Sequence, residues 1–247
     1  MLKTYNSLMK EITRLLNGSK VAIFLDFEGT QYTQEIIAIG AIKCVLDNKN
    51  QIKKVYPGFK FFVKADGQVG KIVCELTGIT DEKIRTEGIE FKKCMALFEK
   101  YVGHHSNIKY ITYGNFDMRL LHQSATLSNM NKEKFIRSIY KNYIDFSVLL
   151  NHYVKSARGT QLSLIDALAI FQITPEGGPH DPLFDAKNLM HLYQGMIKNK
   201  SILLNEYEKV LLNNHSYPAP IAKLIKDLKT KGTASMSDLK KYIEEDL

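Results

Sequence analysis

The stretch Val21-Ala-Ile-Phe-Leu-Asp26-Phe-Glu28-Gly-Thr30 begins with five apolar residues and ends with two acids. Apolar, β-branched and aromatic residues bounded by Lys20 and Gly29-Thr30 read as a buried strand. Side chains two apart on a strand share a face, so Asp26 and Glu28 aim their carboxylates at one locus. Gathered carboxylates repel unless a positive charge sits between them, and hard divalent cations take oxygen ligands of this kind. Taken alone, the pair reads more readily as a strand-end Asp beside a solvated Glu, since an Asp-x-Glu triplet arises by chance about once in a chain of this length.

Outward from this strand, Glu35–Val45 and Ile52–Val63 are further β-rich runs, separated by turn residues at Gly29-Thr30 and Asp47–Asn50. They predict an antiparallel meander. Phe91, Met95, Phe98 and Val102 then share a helical face, Ile108–Tyr113 reads as a short strand, and Phe116–Leu127 resumes helical spacing. Tyr143–Phe146 is a fifth strand, and helices are expected over Ser147–Tyr153, Leu162–Phe171 and Pro182–Ile197. Strands first as a meander and then alternating with helices predict an α/β fold: a mixed five-stranded sheet flanked by helices.

Outside this core, residues 3–17 form an amphipathic helical pattern that stops at Asn17-Gly18. Beyond about residue 198 the pattern is helical only, broken by Tyr217-Pro-Ala-Pro220, with Ser235-Met-Ser-Asp238 as a capping box. The expected organisation is an N-terminal helix over 1–19, a main domain over 20–198 and a helical extension over 199–247.

The composition suits an ordinary globular protein: 247 residues, 45% apolar, 24% charged, with 12 Phe and 13 Tyr to fill a core. Wholesale disorder, a collagen-like repeat and a disulfide scaffold fit poorly. Cys44, Cys74 and Cys94 are odd in number and form no Cys-x-x-Cys pair, so reduced, mostly buried thiols are expected. The apolar runs are far shorter than the roughly 20 residues of a membrane span, and Lys10, Glu11 and Arg14 interrupt any signal-peptide core. A cytoplasmic address without membrane contact is the expectation. The net charge of +8 favours a polyanionic partner by steering and counterion release.

Three more residues complete a pattern. Asp117 follows the Ile108–Tyr113 strand through Gly114-Asn-Phe116 and precedes a helix. Asp185 lies in the first turn of a helix marked by Asp181 as N-cap and Pro182 at its first position, and His180 sits just outside, on the Gly177-Gly-Pro179 loop. Each has a bland reading: first-turn acids suit the helix dipole, and a loop histidine is usually solvated.

Together, Asp-x-Glu, Asp and His-x-x-x-x-Asp, in that order, resemble the DEDDh branch of the DnaQ-like (RNase T-like) 3′–5′ exonucleases. Leu25-Asp-Phe-Glu-Gly-Thr30 with Glu35-Ile-Ile-Ala-Ile-Gly40 is similar to the first motif, Gly114-Asn-Phe-Asp117 to the second, and His180-Asp-Pro-Leu-Phe-Asp-Ala-Lys-Asn188 to the third. Cys74-Glu-Leu-Thr-Gly-Ile-Thr80 resembles a Leu-Thr-Gly-Ile segment beside the substrate's 3′ end, and the set looks most like the KapD and Eri-like RNA-trimming subgroup. The likeness runs from about residue 20 to 195.

The resemblance implies a ribonuclease H-like fold and two divalent ions, Mg2+ or Mn2+. Asp26 would bridge both, Glu28 and Asp185 would complete one, and Asp117 would hold the second. His180 would be the general base, for which an imidazole's ordinary pKa of about 6.5 is suited. Gly29, Thr30, Leu76, Thr77 and Phe116 would bind the last nucleotide of a single strand, with RNA favoured over DNA. Two Lys-rich stretches could track phosphates: Lys43 to Lys71, and Lys132, Lys134, Arg137, Lys141, Lys155 and Arg158. A DNA-trimming or proofreading exonuclease and a catalytically retired nucleic-acid-binding scaffold remain the alternatives. A haloacid-dehalogenase phosphatase fails, because Glu28 stands where that class has Asp.

Overall fold

A computed structural model of the chain describes residues 8–103, 107–214 and 216–246. Positions 3–7 of the expected N-terminal helix lie outside the described residues. The chain runs α1 (Leu8–Leu16), β1 (Val21–Gly29), β2 (Ile36–Leu46), β3 (Ile52–Val55), β4 (Phe59–Phe62), α2 (Lys71–Thr77), α3 (Asp81–Glu87), α4 (Phe91–Val102), β5 (Ile108–Thr112), α5 (Phe116–Leu127), α6 (Lys134–Lys141), β6 (Tyr143–Asp145), α7 (Phe146–Asn151), α8 (Leu164–Ile170), α9 (Pro182–Lys198), α10 (Lys200–Leu212), α11 (Ala219–Lys231) and α12 (Met236–Glu244).

Among the described residues six strands form one mixed sheet in the order β3-β2-β1-β5-β6, with β4 also paired to β2. β1, β2 and β3 are antiparallel neighbours, whereas β5 and β6 run parallel to β1. The mixed, helix-flanked sheet is the one the sequence predicts, with one strand more. The run over 52–63 is two strands because Pro57, which has no N–H for a ladder, and Gly58 interrupt it.

The alternation along β1 divides the two layers that cover the sheet. Ile23, Leu25 and Phe27 face a core built with Phe91, Met95 and Phe98 of α4, Leu120 and Leu121 of α5, and Ile136 and Ile139 of α6. Phe24 faces the other way, where Tyr193 of α9 meets its ring at 5.4 Å. Asp26 and Glu28 share Phe24's parity, so they emerge on the α9 side as the sheet's apolar cover ends.

By compactness the chain divides into two units. The first runs up to Val148 and resumes over Ser163–Asn199, and so contains the whole sheet and α9; the second joins Leu149–Leu162 to the chain from Lys200 onward. In the second unit the capping box of α12 is present as expected: the Ser235 hydroxyl accepts from the Asp238 N–H, and Asp238 accepts from the Ser235 N–H. Lys231 and the Tyr242 hydroxyl converge on Asp227, tying α12 to α11. Among the described residues no helix is long and apolar enough to cross a membrane. Cys44 and Cys94 are buried, Cys74 is partly buried, and all three are free thiols.

Candidate active site

The carboxylates come from three elements that meet at one end of the sheet. β1 runs beyond its neighbour β5, whose pairing with it stops at Phe24–Ile111. Past that point the Phe27 N–H donates to Asp117 Oδ1 at 2.8 Å. Asp117 is thus drawn to the strand that carries Asp26 and Glu28, although the rest of α5 lies against the opposite face. The turn leading to it is held by Asp145 at the end of β6, which accepts from the Gly114 N–H at 3.0 Å. The Tyr143 hydroxyl donates to the Gly114 carbonyl at 2.7 Å.

On the other side, α9 starts as the sequence predicts: Asp181 Oδ1 accepts from the Leu183 and Phe184 N–H groups, and Pro182 follows. This first turn lies directly on β2. A Cβ at Gly40 would stand 2.0 Å from the Pro182 carbonyl carbon, and Gly40 is the residue opposite Asp26 in the ladder. A missing side chain on β2 therefore lets the helix start reach the acids of β1. Lys60 of β4 pairs with Gly40 from the far side, and its Nζ bonds Asp181 Oδ2 at 2.6 Å. Asp26, Gly40 and Lys60 form one row across the sheet.

The loop before α9 is tied at both ends. Asn188 accepts from the Glu176 N–H at 2.8 Å and donates to the Glu176 carbonyl at 3.1 Å, while Asp185 Oδ2 accepts from the His180 N–H at 3.0 Å. The Asp185-Ala-Lys-Asn188 spacing thus closes the loop that carries His180. Gly177 has φ +65°, and a Cβ there would strike the Phe184 ring. His180 itself has φ +61°, a left-handed conformation that a non-glycine side chain disfavours. Its Nδ1 lies 4.0 Å from Glu28 Oε1, and its side chain is 46% exposed. Ligand atoms of Glu28, His180 and Asp185 all lie within 4.8 Å of one another.

Burial and mutual repulsion dominate the electrostatics. Desolvation, then Asp117, Glu28 and Asp185, holds the Asp26 carboxyl well above its ordinary range. Desolvation, with Asp185 and Asp117 beside it, pushes Glu28 up to about 8. Burial raises Asp117 to about 7 against the pull of the Phe27 N–H. Asp185 is also raised by desolvation, partly offset by the His180 N–H. Carboxyl groups placed so that ionising all of them is unfavourable, and offering only hard oxygen donors, fit divalent cations.

The five residues that the sequence assigns to nucleotide binding are placed unevenly. Gly29 and Thr30 are buried; Thr30 Oγ1 bonds Thr33 Oγ1 and accepts from the Glu35 N–H. The Thr77 hydroxyl donates to the Val73 carbonyl and accepts from the Ile79 N–H, so it closes α2. Leu76 and Phe116 are exposed at 53% and 43%. Gln31 links α2 to the β1–β2 turn: its N–H donates to the Val69 carbonyl, and its Oε1 accepts from the Ile72 N–H. Ile72, one turn before Leu76 and also exposed, is an apolar neighbour that motif matching passed over. Lys60, which the sequence groups with lysines that could track phosphates, is engaged by Asp181 instead, and Gly40, quoted within the first motif, has the further role of seating the start of α9.

With this geometry in view, the comparisons are consistent. The profile of the family described as Exonuclease (RNase T) matches residues 23–193, and the chain belongs to that family. The fold resembles the nuclease domain of 3′hExo, a DEDDh family member solved with rAMP bound: TM-score 0.58, 21% identity, 74% of this chain and 94% of that one. It also resembles a 3′-exonuclease that recognises the histone mRNA stem-loop (TM-score 0.59, 20% identity, 73% and 82%). A third likeness is to E. coli exonuclease I with a dT13 oligonucleotide (TM-score 0.59, 14% identity, 81% of this chain). This chain spans 44% of exonuclease I's length. No curated protein sequence matches it.

Proposed function

We propose that the protein is a metal-dependent 3′–5′ exonuclease that trims single-stranded nucleic acid, RNA in preference to DNA, to nucleoside 5′-monophosphates. The observation that carries this reading is the meeting of Asp26, Glu28, Asp117 and Asp185 at one end of the sheet with His180 beside them. The four acids would hold two divalent cations, Mg2+ or Mn2+, which when bound polarise a phosphodiester and lower the pKa of water.

The chain's own contribution is placement and proton transfer. The His180 imidazole takes a proton from the attacking water as the water oxygen bonds to phosphorus. The bond to the 3′-oxygen breaks, and that oxygen leaves with a proton from solvent. His180's exposure lets it meet water, and the bonds from Asn188 and Asp185 hold the backbone of the loop that carries it. Leu76 and Phe116 offer exposed apolar faces on which a terminal base can stack, a mode of contact that tolerates any sequence.

The likeness of Cys74–Thr80 to the RNA-trimming KapD and Eri-like subgroup supports RNA, as do the rAMP and histone mRNA named with two structural neighbours. The dT13 ligand of exonuclease I is the reason to test DNA alongside. Chromatography of digests of matched RNA and DNA strands tests the reading: 5′-monophosphates, formed faster from RNA, are expected. 3′-monophosphates would exclude this chemistry, and faster release from DNA would reverse the substrate preference.

A further inference from the structure

α6 carries a feature that the acidic site leaves unused. Lys134, Arg137 and Lys141 recur at i, i+3 and i+7, so they line one face of the helix, while Ile136 and Ile139 are buried on the other. With Lys132 they ring an open groove of about 1160 Å3, and no acidic residue lines it among the described residues. None of the four cations has an ion-pair partner among the described residues. Tyr140 lines the same groove, and its hydroxyl is shielded from solvent without a hydrogen-bond partner. Burial pushes that phenol up to about 12, so it remains a neutral donor at physiological pH. Four unpaired cations and an orphan donor in one groove call for an anionic oxygen ligand.

The groove is at the opposite end of the strands from the acids. Ile108, which opens β5 and lines the groove, pairs with Val21, five residues before Asp26. At about 3.3 Å per residue that is ~17 Å along the sheet. We propose that the α6 groove is a second contact for the phosphodiester backbone, holding the 5′-ward part of a single strand whose 3′ end lies at the acids. This deepens the exonuclease reading, and rests on it for the identity of the ligand.

The test compares full-length wild type with Lys134→Glu/Arg137→Glu and with Lys92→Glu/Lys93→Glu, an equal charge change on exposed positions of α4 outside the groove. Binding of a 20-nucleotide RNA in EDTA is measured by anisotropy over a salt series. Turnover of a p-nitrophenyl nucleotide ester, too short to reach the groove, is measured with Mn2+. The groove variant is expected to bind the 20-mer about 10-fold more weakly, with a salt slope lower by about 1.4 for two lost phosphate contacts. Its ester turnover should equal wild type, the α4 variant should bind within about twofold of wild type, and Tyr140→Phe should weaken 20-mer binding at unchanged Tm. Equal weakening by the two charge variants, or none by either, overturns the proposal. Should no variant or wild type hydrolyse any substrate while the groove variant alone loses binding, the exonuclease reading fails and the groove stands.

Discussion

Gly40 stands opposite Asp26 in the β1–β2 ladder, and the main chain of Pro182 and Leu183 fills the space a side chain there would occupy. The helix that supplies Asp185 is therefore seated against the strand that supplies Asp26. Gly40→Ala must displace the start of α9, because the obstructing atoms are backbone. The expected cost is about 1–3 kcal/mol of stability, as for overpacking elsewhere, with nuclease activity reduced at least about 100-fold, since a shift of ~1 Å at reacting groups has that effect. Denaturant melts and initial rates on one preparation check both.

The acidic cluster sets a pH dependence whose sign is fixed. Glu28 at about 8 and Asp117 at about 7 lie above the ordinary carboxyl value near 4. The folded protein then binds more protons than the unfolded chain between those limits. The stability these groups contribute is complete below pH ~4 and is lost as pH rises toward 8. Asp26→Asn should raise the Tm of the metal-free protein at pH 8 by at least about 2–4 °C, the shift that ~1 kcal/mol makes in a chain of this size, and change it little at pH 4.5. Mn2+ should stabilise wild type more at pH 8 than at pH 5, by mass action on the folded state. Calorimetric scans at the two pH values, with Mn2+ and with EDTA, check this.

Asn188→Ala removes both hydrogen bonds that close the His180 loop at Glu176. Two lost buried bonds cost about 1–3 kcal/mol. Asn188 also bonds the Asp185 carboxylate, so kcat and the Mn2+ affinity measured by titration calorimetry should both fall. Unchanged Mn2+ affinity would show that Asn188 holds the loop and not Asp185.

Phe116→Ala and Leu76→Ala remove exposed apolar faces. Base stacking is worth about 1–3 kcal/mol, so KM for a single strand should rise about 5- to 100-fold, with Tm nearly unchanged as for other surface substitutions. Steady-state kinetics on a homopolymer, beside a melt, checks the pair.

Much of this site is legible in the sequence, because the period of a strand brings Asp26 and Glu28 to one face and the N-cap and proline mark where α9 begins. Asp117 and His180 are legible only through motif order, since each has an ordinary local explanation. The unread parts have physical reasons. α2 buries no residue and α3 only Ile84, so neither has an apolar stripe that a period could reveal. α6 is eight residues long, and its lysines catch the eye before its buried Ile136 and Ile139. The Lys60–Asp181 pair joins residues 121 apart, and the seat at Gly40 depends on a helix more than 140 positions later; one sequence carries no signal for which distant residues meet.

The most direct test of the central claim is digestion of a 5′-labelled single-stranded RNA with Mg2+ or Mn2+ by wild type, Asp26→Ala and His180→Ala. A ladder that shortens from the 3′ end, is lost in EDTA, is absent for Asp26→Ala and is slowed about 100- to 10,000-fold for His180→Ala is the predicted result. An intact strand under every metal, or a His180→Ala variant as fast as wild type, contradicts the account.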